Sequence, residues 1–429
     1  MYRLFLVISF LLVTLSIRFF FFFKDQPTYT DGQPLTLQTT LLSEPKSSGK
    51  YQRITARLSK GERVFISAPS YPRYSYGQTL KIQGTLKIKS LSSKSNGTTR
   101  LPARQVEQSS NGKSIYTMSY PKIEVVANNN PLLHFITPIR SHIIWLFDTS
   151  LPQPAGNLLL GIVFGIDEGM PKAFDEVLQT AGVLHVIAAS GMNVTIIGGF
   201  LASLFGRILR RQYALVVTIG GIIFYAGLAG FSASIVRASI MGILVFSAQI
   251  LGRQTLALYG LLLAGFSMLF YQPFLLFDTG FQLSFMATWG LIVFNPLMQT
   301  ILKRKGWVID MLARTDFLTT FVAQLATLPI LLGTFGSYSP VSIIVNFLLL
   351  WTIPILMIIG GIGTIVGLLI PGLGQWVLYL ALPLLFYFES IVWFFGSLPL
   401  VFTAKSLSLP IVAGYYLLLL SVVLKSRKE

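Results

Sequence analysis

The chain has 429 residues, of which 53% are hydrophobic and only 11% are charged, with a mean hydropathy of +0.67. Soluble domains carry about a quarter charged residues, so this composition excludes a chain that faces water over most of its length. The net charge of +17 indicates an anionic partner, either lipid headgroups or nucleic acid. The absence of cysteine excludes disulfides and thiolate sites, and three histidines are too few for a multi-histidine metal site, so no cofactor or metal is expected.

The first apolar segment, residues 4–23, is long enough to cross a bilayer as a helix. It ends in a run of phenylalanines and lacks the small-residue cleavage site of a signal peptide. Residues 1–24 are therefore predicted to be an uncleaved transmembrane anchor. Arg18 inside this segment either snorkels to the interface or faces protein.

Residues 25–130 are polar and alternate in the way that β-strands do. Apolar side chains occupy one face of the stretch 80–89, and lysines occupy the other. The stretch 53–58 alternates in the same manner, and further strands are predicted near 35–42, 62–67 and 115–126. Roughly five such strands predict a small all-β domain of the OB-like barrel type. Residues 90–113 are predicted to be a long polar loop.

This β domain holds about half of the chain's 33 Lys and Arg residues. Two interpretations stay open: a solvated basic face, or a surface that holds DNA by its phosphates. The basic residues predicted to contact DNA are Arg53, Arg57, Lys81, Lys87 and Lys89. Three tyrosines, Tyr71, Tyr74 and Tyr76, are available for base stacking.

Residues 131–180 are predicted to be an interfacial segment that opens with an amphipathic helix over 131–150. Further spans are predicted near 184–206, 213–230, 235–252, 256–272, 281–300, 317–333, 341–369, 376–397 and 408–424. The span 341–369 contains Pro354 and a glycine pair, so it is kinked, re-entrant or in two pieces. The fold class is therefore a polytopic α-helical membrane protein with about ten transmembrane helices and a small extracytoplasmic β domain.

The basic loops between these spans all fall on one side of the membrane. They contain Arg207, Arg210 and Arg211, then Arg253, then Lys303, Arg304 and Lys305, and finally Lys425, Arg427 and Lys428. The positive-inside rule assigns that side to the cytoplasm of a bacterial cell, so both termini are predicted inside and the β domain outside. Long translocated domains escape the rule, so the charge of the β domain does not contradict this topology.

Four polar or small residues stand close together in the span 184–206: His185, Ser190, Gly191 and Asn193. One interpretation is a face of small residues against which a neighbouring helix packs closely. The other is a break in the helix that lines a cavity, because loosened backbone persists in a membrane only beside protein or water. The cluster as a whole favours the break.

Polar residues in other spans of the 181–429 channel domain are further candidates to line a channel or contact DNA. They are Arg237, Asp278, Gln282, Gln324 and Asn346. Arg237 is either a snorkelling arginine or a contact for phosphate, whereas Asp278 is an N-cap, an ion partner for Arg237, or both. The isolated amides of Gln324 and Asn346 also suit hydrogen bonds between helices. No phosphate-binding loop, carboxylate pair or metal spacing occurs, so no catalytic residue is predicted and the chain is expected not to be an enzyme.

Four stretches that contain most of these polar residues resemble the ComEC family of competence proteins, which form the inner channel for transforming DNA. They are His185–Val194, Ser234–Ala238, Leu275–Phe285 and Ala323–Pro329, in the family's order and at similar spacing. The resemblance covers residues 150–400, and the N-terminal anchor and barrel fit the family's extracytoplasmic domain. It implies a channel for single-stranded DNA, with a separate DNA receptor and a cytoplasmic helicase or translocase as partners, in contact with membrane lipids. A homo-oligomer is left open.

Two features depart from the family pattern. Family members commonly have histidine where this chain has Asn193. Many also continue into a metallo-β-lactamase-like nuclease domain, whereas this chain stops at Glu429, so a separate nuclease is expected. Two other functions fit the composition: a transporter of a small molecule or lipid intermediate with a sensing β domain, and a purely structural membrane scaffold.

Overall fold

A computed structural model describes residues 2–24, 29–41, 45–48, 51–58, 63–90, 114–126, 131–167, 169–187, 189–303, 316–398, 402–403 and 409–426. The chain forms two compact units. The first contains Met1–Ile139 and Leu262–Phe281, and the second contains Arg140–Leu261 and Gln282–Glu429. The four domains predicted from the sequence stay a prediction.

The first unit contains a β region of two sheets, as the alternating pattern predicts. Its described strands are β1 (Pro34–Thr40), β2 (Lys46–Ser48), β3 (Tyr51–Arg57), β4 (Arg63–Pro69), β5 (Thr79–Thr85), β6 (Lys87–Ser90), β7 (Ser114–Ser119) and β8 (Lys122–Val126). One sheet has the order β1-β5-β8 and the other β2-β3-β4-β7-β6, and all pairs are antiparallel except β4 and β7. The predicted loop 90–113 lies outside the described residues from position 91 onward.

One hydrophobic core serves both sheets of the β region. Ile82 of β5 and Ile54 of β3 belong to it and are almost fully buried, although they come from different sheets. Leu86, which is also fully buried, is the single residue between β5 and β6. One run of chain therefore passes from one sheet to the other at Leu86, as strands do at the corners of small barrels.

Helix α1 (Tyr2–Lys24) packs within the first unit, where its arginine has a protein partner. Arg18 Nε donates a hydrogen bond to the carbonyl oxygen of Phe270 at 3.2 Å. The Phe23 ring meets the Phe277 ring edge-on, with 6.1 Å between centroids. Arg18 therefore faces protein, which decides between the two interpretations of this residue.

Helices dominate the chain after residue 130, as its composition predicts. They are α2 (Pro131–Ser150), α3 (Ala155–Phe164), α4 (Lys172–Ala181), α5 (Leu184–Ile187), α6 (Gly191–Gly206), α7 (Arg211–Leu228), α8 (Ala233–Ile250), α9 (Ala257–Tyr271), α10 (Thr279–Lys303), α11 (Asp316–Phe335), α12 (Ser342–Leu349), α13 (Thr352–Leu369), α14 (Pro371–Tyr379), α15 (Leu382–Gly396) and α16 (Leu409–Ser426). A 3-10 helix occupies Pro273–Phe277, and β9 (Ser337–Tyr338) pairs with β10 (Phe402–Thr403).

Five helical segments in the described part of the chain are long and apolar enough to cross a membrane. They are Leu184–Gly206, Arg211–Leu228, Ala233–Ile250, Thr279–Gln299 and Thr352–Leu369. The pair α14 and α15 adds a sixth if these two helices, bent by 48° at their junction, form one span. The chain is therefore a mostly helical membrane protein with an N-terminal β region.

Two predicted spans are divided in the structure. The stretch 341–369 forms α12 and α13, which confirms the two-piece interpretation. The span predicted over 376–397 is bent, because α14 ends at Tyr379 and α15 starts in a new direction. Pro383 in the first turn of α15 explains the division, since proline has no N–H to continue a helix.

Helix α3 is completely buried within the second unit, and the sequence of this short segment did not predict that burial. All ten of its residues are buried. Helices α5, α13 and α15 pack against it. It ends at Gly165, which adopts the left-handed conformation with φ +68°.

Candidate functional site

The predicted break in the span 184–206 is present. Between α5 and α6 the backbone is extended at Ser190, with φ −116° and ψ 176°. The side chain of Ser234 donates to the carbonyl oxygen of Ala189 at 2.9 Å, so one freed backbone group has a partner on α8. Gly165 lies against the break, because a Cβ added there would be 2.9 Å from Ala189 N.

A hydrogen-bond network joins the break to the end of α3. Asn193 Nδ2 donates to the carbonyl oxygen of Ile162 at 2.7 Å and to Tyr225 Oη at 3.2 Å. The Tyr225 hydroxyl in turn donates to the carbonyl oxygen of Val163 at 2.8 Å, and Ser190 Oγ donates to Asn193 Oδ1 at 3.3 Å. Helices α3, α6 and α7 are thereby tied together.

This network supplies hydrogen-bond donors to backbone carbonyl groups that have no partner within α3. The last four carbonyl groups of a helix have no partner within it, and in a membrane interior water does not supply one. Asn193 and Tyr225 fill that need for Ile162 and Val163, and only 3% of Asn193 is exposed. The position of Asn193 thus supports a helix-anchoring role, while its predicted contact with a channel stays a prediction.

Arg237 lies beside the break, buried to 7% exposure. Its Nη1 donates to the carbonyl oxygen of Ser284 and to Thr288 Oγ1, both on α10. Its Nη2 would lie 3.0 Å from a Cβ added at Gly191. Arg237 therefore reaches into protein, which argues against the snorkelling interpretation. The predicted ion pair with Asp278 stays a prediction.

The structure thus brings Ser190, Gly191, Asn193 and Arg237 together at one place, while Gln324 belongs to a second polar cluster. Gln324 Nε2 donates to Ser342 Oγ at 2.9 Å, and its Oε1 accepts from the Tyr338 hydroxyl at 2.7 Å. These bonds confirm the interhelical role proposed for this amide, since they join α11 to the start of α12.

Asn346 lies one turn after Ser342 on α12 and is 1% exposed. Its Oδ1 has no hydrogen-bond donor among the residues described. Two other candidates differ in their exposure. His185 is exposed on α5, and Gln282 is half-buried in the first turns of α10. Asp278 Oδ1 accepts from the Phe281 backbone N–H at 3.1 Å, which confirms the predicted N-cap.

The basic residues predicted for the β region differ in surroundings. Lys87 is exposed, and Arg53 is half-buried. Lys81 lies across from Glu124 in the β5–β8 pair, and Lys122 Nζ is 3.0 Å from a Glu124 oxygen. That ammonium, by its hydrogen bond and its charge, holds the pKa of Glu124 below the ordinary value. The side chains of Arg57 and Lys89 lie outside the described part.

The stacking role predicted for three tyrosines is wrong for two of them. Tyr74 belongs to the core of the β region and Tyr76 is 1% exposed, so neither offers a ring face to a base. Tyr71 is 75% exposed, with Arg73 above its ring. Tyr120, which was not predicted, is 63% exposed and follows β7 directly. Parallel pairing of β4 with β7 explains why exposed rings follow both strands at the same edge.

Sequence reasoning missed the partners that complete the two polar clusters. Tyr225 and Thr288 lie in apolar spans and carry no local motif, and Ser284 lies in the stretch Leu275–Phe285 without being singled out there. In the Asn193 network, the hydrogen bonds that reveal these partners join residues 31 to 62 positions apart in the sequence. The hydrogen bonds of Arg237 join residues 47 to 51 positions apart. Ser234 was the exception, because it stands three positions before Arg237 in a polar stretch.

A family model described as Competence protein matches residues 162–429, which begin at the first carbonyl of the network. The chain belongs to this Competence family. ComE operon protein 3 of Bacillus subtilis (strain 168) is 28% identical over 218 residues, or 50% of this chain and 27% of that protein. An uncharacterized protein of Aquifex aeolicus (strain VF5) is 29% identical over 130 residues, or 30% of each chain. The matches thus span less than a third of these curated relatives. No solved structure matches.

Proposed function

We propose that this Competence family member is a channel that passes single-stranded DNA across the cytoplasmic membrane during DNA uptake. The observation that carries the proposal is the family match over residues 162–429, which includes the broken helix and the buried Arg237 beside it. A break lined by polar groups in an apolar helix is a structure that membrane transport sites use.

The finer architecture is part of this proposal. We propose ten spans: the six long candidates, α1, and the three shorter apolar helices Ala257–Tyr271, Leu318–Thr334 and Pro410–Leu419. We also propose that the β region is an OB-like barrel outside the cell, because its two sheets share one core and are joined at Leu86. Both termini lie in the cytoplasm in this scheme, as the basic loops require.

In this proposal, the β region and the helical part of the chain have different tasks in transport. The basic β region gathers DNA through phosphate contacts, and the segment 131–180 leads one strand to the break at Ser190 and Gly191. Conduction needs contacts that also release the cargo, so the polar groups there bind weakly. A separate receptor, nuclease and cytoplasmic helicase or translocase supply capture, strand removal and pulling, and this chain itself catalyses no reaction.

The proposal is tested by the uptake of labelled DNA in cells that lack this protein, with and without its restoration. We expect DNA to collect outside the cytoplasmic membrane in the deletion and to reach the cytoplasm on restoration. Unchanged uptake in the deletion would contradict the channel. In that case a transporter of a small molecule or lipid intermediate becomes the better explanation of the same spans.

The DNA-gathering role predicts how salt affects binding of single-stranded DNA to the purified full chain. Removal of one cation that binds a phosphate should make the slope of log affinity against log salt less negative by about 0.7. Lys87→Gln is expected to show this change, because Lys87 is exposed and basic. Lys122→Gln is the matched control, since Glu124 already pairs with Lys122. Equal slopes for the wild type and both variants would remove Lys87 from the DNA surface.

A further inference from the structure

Two positive groups of the second unit meet at the break without an anion between them. Helix α6 has 16 residues, and the N–H groups of its first turn carry partial positive charge. The side chain of Ser190, at the N-cap position, accepts no hydrogen bond from a backbone N–H of this turn. The guanidinium of Arg237 lies at the same end, 3.0 Å from the position of a Cβ on Gly191.

Among the described residues of the second unit, no carboxylate neutralises the charge of Arg237. Its hydrogen bonds go to a carbonyl and a hydroxyl oxygen, which are neutral acceptors. Arg237 Nε is buried and has no hydrogen-bond acceptor within the described ranges. None of the described carboxylates of the same unit forms an ion pair with it. Burial of an uncompensated cation is costly, so an anion bound here would stabilise the folded protein.

We propose that this place is a binding site for a phosphate group, held between the guanidinium of Arg237 and the N-terminus of α6. Both groups suit phosphate: a helix N-terminus offers backbone donors with favourable dipoles, and arginine offers a planar fork of N–H donors. Ser190 and Gly191 are partly exposed.

Gly191 is the residue that lets the guanidinium approach the N-terminus of α6 closely. A methyl group at this position would stand 3.0 Å from Arg237 Nη2, so the guanidinium would have to give way. This site rests on the proposed function in one respect only, the source of its ligand. If the protein is the proposed channel, the ligand is a phosphodiester group of the passing DNA strand. A lipid headgroup carries the same chemistry.

The site is tested on the purified full chain in a neutral detergent, with inorganic phosphate as the probe. A ligand that binds only the folded state raises its stability, so the thermal midpoint should rise with phosphate concentration. Arg237→Gln is expected to weaken the apparent phosphate affinity at least tenfold. Arg253→Gln is the matched control, because Arg253 is an exposed arginine just beyond the opposite end of the same helix, α8. It should respond to phosphate as the wild type does.

Equal responses of the two arginine variants, or no response in the wild type, would overturn the site. If Arg237→Gln does not fold, Gly191→Ala decides, since it keeps the arginine while pushing its guanidinium away from the N-terminus of α6. That variant is expected to fold and to lose phosphate affinity, and a response equal to that of the wild type would count against the proposal.

Two further measurements identify the source of the phosphate. Competition of inorganic phosphate by oligothymidylate, but not by phosphatidylglycerol in lipid nanodiscs, assigns the site to the DNA strand. The reverse order assigns it to a lipid headgroup. If Arg237→Gln loses phosphate binding but cells that carry it still take up DNA, the channel proposal stands and the site has no role in transport. Phosphate binding in a protein that does not restore uptake would contradict the channel alone.

Discussion

Gly374→Ala is expected to destabilise the folded protein by about 3 kcal/mol, the size of a severe overpacking defect. Gly374 stands where α14 crosses α13. A Cβ there would clash with Gly367 Cα, and it would lie 2.6 Å from Gly367 N and 2.9 Å from Gly363 O. These neighbours are backbone atoms, so no side chain is able to rotate away, and the two helices have to separate.

The same helix provides the control. Gly372 is exposed, and a Cβ built on it meets nothing within 4 Å. Gly372→Ala therefore changes the helix propensity without a clash and should leave stability equal or slightly higher. Reversible unfolding in mixed detergent and denaturant measures both variants. Similar unfolding midpoints for them would show that α13 and α14 do not approach as closely as described.

Asn193→Ala is expected to lower the free energy of unfolding by about 2 kcal/mol. The change removes the donor to the Ile162 carbonyl, which stays buried at the end of α3, and it removes the hydrogen bond to Tyr225. Unsatisfied buried carbonyl groups are costly where water is absent, although hydrogen bonds between membrane helices are individually modest.

Thr195→Ala on the same helix isolates this effect. Thr195 is exposed, and its hydroxyl bonds only to the Gly191 carbonyl within its own helix. Its loss should change stability by less than about 0.5 kcal/mol. Unfolding measured under identical detergent conditions gives the comparison. A loss in Thr195→Ala as large as that in Asn193→Ala would mean that the network to α3 does not stabilise the fold.

Local periodicity predicted the elements well and their arrangement poorly. The alternation at 80–89 identifies buried Leu80, Ile82 and Leu86, because strand side chains point to opposite faces in turn. It does not reveal that Leu86 separates strands of different sheets, since pairing partners lie far away in sequence. In the helices, hydropathy located 376–397 but not its bend, which depends on Pro383 as a helix start.

The candidate site shows the same limit in chemical terms. Polar residues in an apolar run identify a place that needs partners, so Ser190, Asn193 and Arg237 were recognisable from the sequence alone. The partners are backbone carbonyl groups such as that of Ile162, which every residue possesses and no sequence pattern marks. Tyr74 and Tyr76 show the opposite error, because tyrosine suits both a stacking surface and a core.

The position of α3 has a consequence for the order in which the protein is assembled. A helix of ten residues is about 15 Å long, half the thickness of the hydrocarbon layer, so it cannot cross the bilayer by itself. The side chains that satisfy its final carbonyls, Asn193 and Tyr225, are synthesised after it. Assembly of this part of the chain therefore cannot be completed segment by segment: α3 gains its final hydrogen bonds only when α6 and α7 have been added.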